Sequence, residues 1–263
     1  GRPHLRYHFR VLDSPVVNAF ALPGGYIYVT RGLLAEINSE AELAAVLGHE
    51  ITHVVCRDPV NRLSQQIGTQ ALLLAALASP SSREFAMAGH LLIQSVMLGY
   101  SRQKEFRADA MGLEYAFRAG YDPLAMARFL ERLARRSWAP PGHWALAMDH
   151  PDAWERVEEA RAKAKVLISL RRAWQEGDPS LEEVRRPWGR VGEADYKRHL
   201  EGLAYGPKGS HRRLRIYRVR PGDTLRSIAR RLLGTGERWR EIADLNGLRL
   251  DPPAGTYLKV AVP

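Results

Sequence analysis

Cysteine is almost missing from this sequence: Cys56 stands alone among 263 residues. One cysteine excludes an internal disulfide and a Cys-rich zinc module. Long apolar runs are missing as well. The nearest are residues 71–78 and 86–100. The first is short of the roughly 20 residues that a membrane-crossing helix needs. The second carries Gly89, His90 and Gln94, and both read as buried helices of a soluble domain. No signal peptide is visible at Gly1, which reads as a trimmed or mature start. There is no long internal repeat.

What is present suits a packed core. Apolar residues make up 45% and charged residues 26%, so global disorder is excluded. The length fits one large domain, or a medium one with a small one. The net charge of +10 is uneven. Residues 211–263 hold 12 Lys and Arg against 5 Asp and Glu. Such a patch attracts nucleic acid, an anionic membrane or an anionic polymer, and composition does not choose among them. No aromatic stacking pattern accompanies it, so nucleic acid is not expected.

The pattern changes along the chain. Residues 5–30 alternate apolar and polar positions around a Pro23-Gly24-Gly25 turn, which predicts strands. From Ser39 to Cys56 the period becomes helical, with Ser39 and Glu42 spaced as a capping box. Asp58-Pro59 breaks that helix. Further helices are predicted over 61–79, 83–117, 124–136 and from about Asp152 to Gln175. Asp122 and Pro123 suit a helix start. Glycine-rich residues 202–210 read as a linker. The last 50 residues read as strand, two short helices and strand. The expected class is α+β: a predominantly helical domain with a small sheet, residues 1–206 including a helical extension over 152–206; a linker, 207–213; and a small βααβ domain, 214–263.

One pentapeptide carries chemistry. His49-Glu50-Ile51-Thr52-His53 is an HExxH motif within a helical stretch. Positions four apart share a helix face, so both imidazoles can hold one metal ion. Glu50, next to His49, can reach a metal-activated water and take its proton. A catalytic zinc needs a third protein ligand and an open position. Glu105, in a second helical segment, is the candidate. Asp109 sits four residues later on the same face, where a carboxylate can set the tautomer of a ligand imidazole. Cys56 reads as packing. His150, before Pro151, could approach the metal from a loop, either stabilising the transition state or capping the ion.

Several segments resemble one family. Asn18-Ala19-Phe20-Ala21-Leu22-Pro23-Gly24-Gly25, the HExxH motif, Tyr100-Ser101-Arg102 with Glu105 and Ala108-Asp109, Ala119-Gly120-Tyr121-Asp122-Pro123, and Asp149-His150-Pro151 with Arg156 are together very specific. Over about residues 5–206 the chain resembles the gluzincin metallopeptidases of the HtpX and CAAX-prenyl-protease type, peptidase family M48. The resemblance implies a zincin-like fold, one Zn2+ per chain on His49, His53 and Glu105, and Glu50 as general base. It implies that Asn18, Ala19, Phe20 and Ala21 form a strand edge where substrate peptide pairs. Tyr217-Arg218-Val219-Arg220-Pro221-Gly222-Asp223-Thr224-Leu225, with Trp239, Asn246-Gly247 and Pro253 to Leu258, resembles a LysM domain. That implies affinity for peptidoglycan or another N-acetylglucosamine-containing glycan, contacted by Gly222, Asp223, Thr224 and Leu225.

The expectation is an extracytoplasmic zinc endopeptidase of the bacterial cell envelope. It would cleave misfolded or envelope proteins while held on peptidoglycan. The basic face is compatible with peripheral contact to an anionic membrane. The alternatives are a hydrolase acting on peptidoglycan itself, and a largely inactive, metal-capped chaperone or wall-binding protein.

Overall fold

The computed structural model describes residues 4–62, 64, 100–136, 153–177, 188–207 and 209–263. Most of the predicted helix over 61–79, the first part of that over 83–117, and His150 lie outside the described residues. Three strands open the chain: β1 (His8–Leu12), β2 (Ala19–Leu22) and β3 (Tyr26–Thr30). They form a sheet in the order β1-β3-β2, with β1 parallel and β2 antiparallel to β3. Period-two patterning decides which side is buried. Ala19 pairs with Val29 and Ala21 with Ile27, and these four side chains face inward. On the other face Phe20 stacks on Tyr28 with ring centres 5.2 Å apart. Gly24 and Gly25 make the β2–β3 turn at φ of 89° and 90°, a left-handed backbone that glycine adopts without a Cβ clash.

Helix α1 (Arg31–Glu36) follows β3 directly, and α2 (Glu40–Val55) carries the HExxH motif. The α2 start differs in detail from a capping box. Ser39 Oγ accepts from Glu42 N at 3.2 Å, but the Glu42 carboxylate reaches one residue further back, to Asn38 N at 2.8 Å. Arg132 also claims that carboxylate, donating from Nη1 at 2.8 Å and from Nη2. Helix α3 (Arg102–Arg118) crosses α2 at two glycines. A Cβ on Gly48 would lie 2.5 Å from Gly112 O, and a Cβ on Gly112 would lie 2.5 Å from His49 N. The helices touch backbone to backbone because neither residue has a side chain. Gly120, at φ 90°, closes the turn after α3. Asp122 Oδ1 then accepts from Leu124 N at 3.0 Å at the start of α4 (Leu124–Arg136). Helices α5 (Ala153–Gly177) and α6 (Glu193–His199) complete this part.

The C-terminal segment is β4 (Arg213–Arg218), α7 (Leu225–Leu233), α8 (Trp239–Asn246) and β5 (Tyr257–Val262), with β4 and β5 antiparallel. It has its own apolar core around Ile228, Ile242, Leu258 and Val260. Leu214, Leu245 and Ala261 instead join the large cluster that includes Leu33, Ile37 and Leu130. Lys259 is fully buried at this junction. Its Nζ donates to Ile37 O at 2.8 Å and to Ala35 O, and so satisfies carbonyls where α1 ends and the chain turns towards α2. Lys197 of α6 donates to Tyr257 O at 2.9 Å and to Glu193 at 2.6 Å. At Gly247, φ 65°, a Cβ would meet Arg132 Cδ at 2.9 Å. The absence of a side chain there lets the turn after α8 close onto α4.

Candidate metal centre

His49 and His53 lie one turn apart on α2, and the Gly48–Gly112 crossing brings α3 against them. Glu105 lies about two helical turns before Gly112, on the side facing the imidazoles. The two Nε2 atoms are 3.0 Å apart. Glu105 Oε2 is 3.5 Å from His49 Nε2, and Oε1 is 3.5 Å from His53 Nε2. One ligand atom from each residue lies within 4.8 Å of the others, an arrangement that can hold a metal ion. Bonds of 2.0–2.1 Å at tetrahedral angles give ligand–ligand edges of about 3.3–3.4 Å, close to these separations. The donor set therefore fits a small borderline cation.

The outward nitrogens are also occupied. His49 Nδ1 lies 2.8 Å from Asp109 Oδ1, and His53 Nδ1 lies 3.0 Å from Asp58 Oδ2. A carboxylate at Nδ1 holds the proton there and turns the Nε2 lone pair inward. Asp58 reaches His53 because the chain reverses after α2, with Arg57 at φ 58°. Arg107 donates to both Asp58 oxygens, at 2.8 and 2.9 Å. Tyr100 stacks on His53 with ring centres 4.1 Å apart. Arg156, from α5, is 2% exposed and sits behind Asp109 and Glu105. Its Nε and Nη2 donate to Asp109 at 2.6 and 2.8 Å, and Nη1 is 3.1 Å from Glu105 Oε2.

The electrostatics follow from this arrangement. Burial drives the His49 pKa down, against the raising influence of Asp109 and Glu105. Burial works on His53 in the same sense, but its hydrogen bonds to Asp58 and Glu105 prevail and raise it to about 9. Burial raises Asp109 and Asp58, yet Arg156 lowers the first, while His53 and Arg107 lower the second; both carboxyls end below the usual range. Glu50 is 1% exposed on α2. Beside it, Val46, Met126, Phe129, Leu130 and Leu133 wall a small cavity of about 20 Å³.

These features meet in a comparison with known proteins. Residues 1–164 match the family model described as "Peptidase family M48". The chain belongs to this family. Residues 217–260 match the LysM domain model. The chain is 33% identical over 173 residues to the beta-barrel assembly-enhancing protease of Escherichia coli K12, which covers 61% of this chain and 35% of that protein. It is 30% identical over 189 residues to the mitochondrial metalloendopeptidase OMA1 of Schizosaccharomyces pombe, covering 70% of this chain and 56% of that protein. Metalloprotease LoiP of E. coli K12 is 28% identical over 160 residues, 59% of this chain and 61% of that protein. The chain spans about a third of the length of the first of these relatives.

The remaining M48 motif residues are placed as follows. Asn18 is buried, and its N and O bond Thr30 Oγ1 at 3.0 and 2.9 Å. Ala19, Phe20 and Ala21 lie in β2, one of the two outer strands of the described sheet, which packs on α2 through Ala21, Leu47 and Ile51. In the LysM segment, Gly222, at φ 81°, and Asp223 form the loop before α7, Thr224 caps α7, and Leu225 opens it. Asp223 is engaged internally, accepting from Arg220 N at 2.9 Å, Tyr217 Oη at 2.5 Å and Arg231 Nη2 at 2.9 Å. Leu225 is buried. Sequence reasoning read Asp58 only as a helix breaker and Arg156 only as a motif residue, and gave neither of them, nor Arg107, a part in the metal centre. Asp58 had a visible signal: it is a carboxylate five residues past the second histidine, at a helix end.

Proposed function

We propose that this chain is a zinc endopeptidase whose LysM domain holds it to a glycan of the bacterial cell envelope. The convergence of His49, His53 and Glu105 within 4.8 Å, each histidine backed by its own carboxylate, carries the reading. Zinc held by His49, His53 and Glu105 would supply a Lewis acid and an acidified water. Glu50 would be the general base, taking a proton from the attacking water and handing it to the leaving amine. Asp109 and Asp58 keep the imidazoles in the ligating tautomer. Arg156 holds Asp109 and Glu105 in place. The outer edge of β2, with Asn18 just before it and Ala19 to Ala21 within it, pairs with an extended substrate peptide as an added strand. His150, which lies outside the described residues, either stabilises the transition state or caps the ion.

The reading divides the chain into a peptidase unit over 1–206, a linker over 207–213 and a glycan-binding unit over 214–263. The substrates are misfolded or envelope proteins, and the partner of the LysM unit is peptidoglycan or a related N-acetylglucosamine glycan through the Gly222–Leu225 loop. The names of the M48 relatives support proteolysis, and the basic LysM segment supports an anionic wall or membrane nearby. Among the described residues no helix is long and apolar enough to cross a membrane.

The test is Glu50→Gln with zinc content and casein cleavage measured together. About one zinc per chain in both proteins, with cleavage reduced at least about a hundredfold in the variant, is the expected result. Equal turnover in both would remove Glu50 from the mechanism. Absence of zinc from both would remove the metal.

A further inference from the structure

A second cavity, of about 500 Å³, lies where the LysM unit meets α4. One wall is the stripe Arg128, Glu131, Arg132 and Arg135, spaced one and two turns apart on α4; the other is Ala243 and Asp244 of α8 with the turn Gly247-Leu248-Arg249. The arginines are not equivalent. Arg128 is committed to Asp122 at 2.7 Å and Arg132 to Glu42. Arg135 and Arg249 share a single oxygen of Glu131, Oε1, with Arg249 at 3.3 Å. The other Glu131 oxygen already accepts from Arg161 at 2.6 Å. A guanidinium has five N–H donors. Arg135 and Arg249 each spend one on Glu131, and their side chains stay 44% and 70% exposed at the cavity. A ligand carboxylate can therefore be gripped in fork geometry without breaking an existing pair.

The turn that lines this cavity is tied to the candidate glycan loop. Asp251, two residues past Arg249, accepts from Leu225 N at 2.6 Å. Leu248 packs into the LysM core, so the turn that lines the cavity is fixed to the loop that would hold the sugar. The geometry points to a carboxylate subsite: the cavity between α4 and the LysM unit takes the anionic peptide branch of a wall glycan whose sugar lies on residues 222–225. This deepens the proposed glycan reading and rests on it. Arg135 and Arg249 are its recognition residues. Binding there would link the LysM ligand to the helix whose neighbouring face, Met126, Phe129, Leu130 and Leu133, lies beside Glu50.

The test uses calorimetric titration of the full chain with two probes, an uncharged N-acetylglucosamine oligomer and a soluble muropeptide carrying its peptide carboxylates. Wild type should bind the muropeptide about five- to tenfold more tightly, the range expected for two partly exposed charge-assisted contacts. High salt should narrow that ratio. In the Arg135→Gln, Arg249→Gln double variant the two probes should bind equally, with oligomer affinity unchanged. A wild-type ratio of one, or a ratio that survives in the double variant, overturns the subsite and leaves the glycan reading intact. If neither probe binds wild type, the glycan reading fails and the subsite with it.

Discussion

Two buried polar systems lie at opposite ends of α2, and they balance charge in opposite ways. Around the metal centre four carboxylates gather: Glu50, Asp58, Glu105 and Asp109, each at most 4% exposed. One buried guanidinium, Arg156, answers two of them, and Arg107 and Lys104 answer Asp58 from more exposed positions. At the junction near the α2 N-terminus the cation belongs to the chain. Lys259 ends on two backbone carbonyls, and Arg132 is matched by Glu42. Burial pushes the Lys259 ammonium well below the usual lysine range, with Glu36 opposing. A buried site rich in carboxylates favours a further cation, because buried charge must be matched. The junction brings its own cation on β5 and is complete without a ligand. The first system suits function; the second suits architecture.

Arg156→Met should be the most damaging break on the functional side. It strands Asp109 and Glu105 without their guanidinium, a loss of about 3–5 kcal/mol for one partner of a buried pair. Denaturant titration with and without a chelator sharpens the contrast. Bound metal should offset part of the loss through Glu105, so chelation should cost the variant more stability than wild type. Equal losses would mean that metal and guanidinium do not share a charge balance.

Lys259→Met should cost somewhat less, about 2–3 kcal/mol, since it leaves two buried carbonyls without their donor. That loss should be indifferent to chelation. A stability unchanged by this substitution would show the junction to be a loose contact and not a structural joint. Glu42→Gln should have the smallest effect, about 1 kcal/mol near neutrality, and it should be visible in acid. Burial alone raises the Glu42 carboxyl, but Arg132 outweighs it and holds the group below its ordinary value of 4.5. Between that depressed value and 4.5 the unfolded chain binds a proton that the folded chain does not. Stability from this group is thus present above 4.5 and lost as pH falls through the folded value. Acid unfolding of the variant should show a flatter slope in that window; an unchanged slope would assign the pH dependence to other carboxylates.

Much of the metal side is legible in the residues themselves. The i, i+4 histidines and the Glu105–Asp109 pair are local patterns on helices, and helical periodicity places them. The small sheet and the strand–helix–helix–strand close of the chain follow from alternation and turn residues in the same way. The junction is not legible, because its partners are remote in sequence. Lys259 in a closing strand reads as a surface residue, and only the docking of β5 on α1 makes it a buried donor. Asp58 reads as a helix breaker with Pro59. Its second role depends on the left-handed Arg57, a conformation that residue type alone does not announce. Gly48 and Gly112 look unfavourable inside helices, and their purpose appears only when the helices cross.

That crossing has a mechanical consequence. With bare backbone on both sides, the gap between α2 and α3 is a fixed dimension that no rotamer can adjust. Glu105 stands at the end of a rigid arm pivoting at that contact, roughly 10 Å from Gly112 along α3. The size of ion that the three candidate ligands could accept is therefore set by how closely two peptide chains can touch, at a point remote from that site.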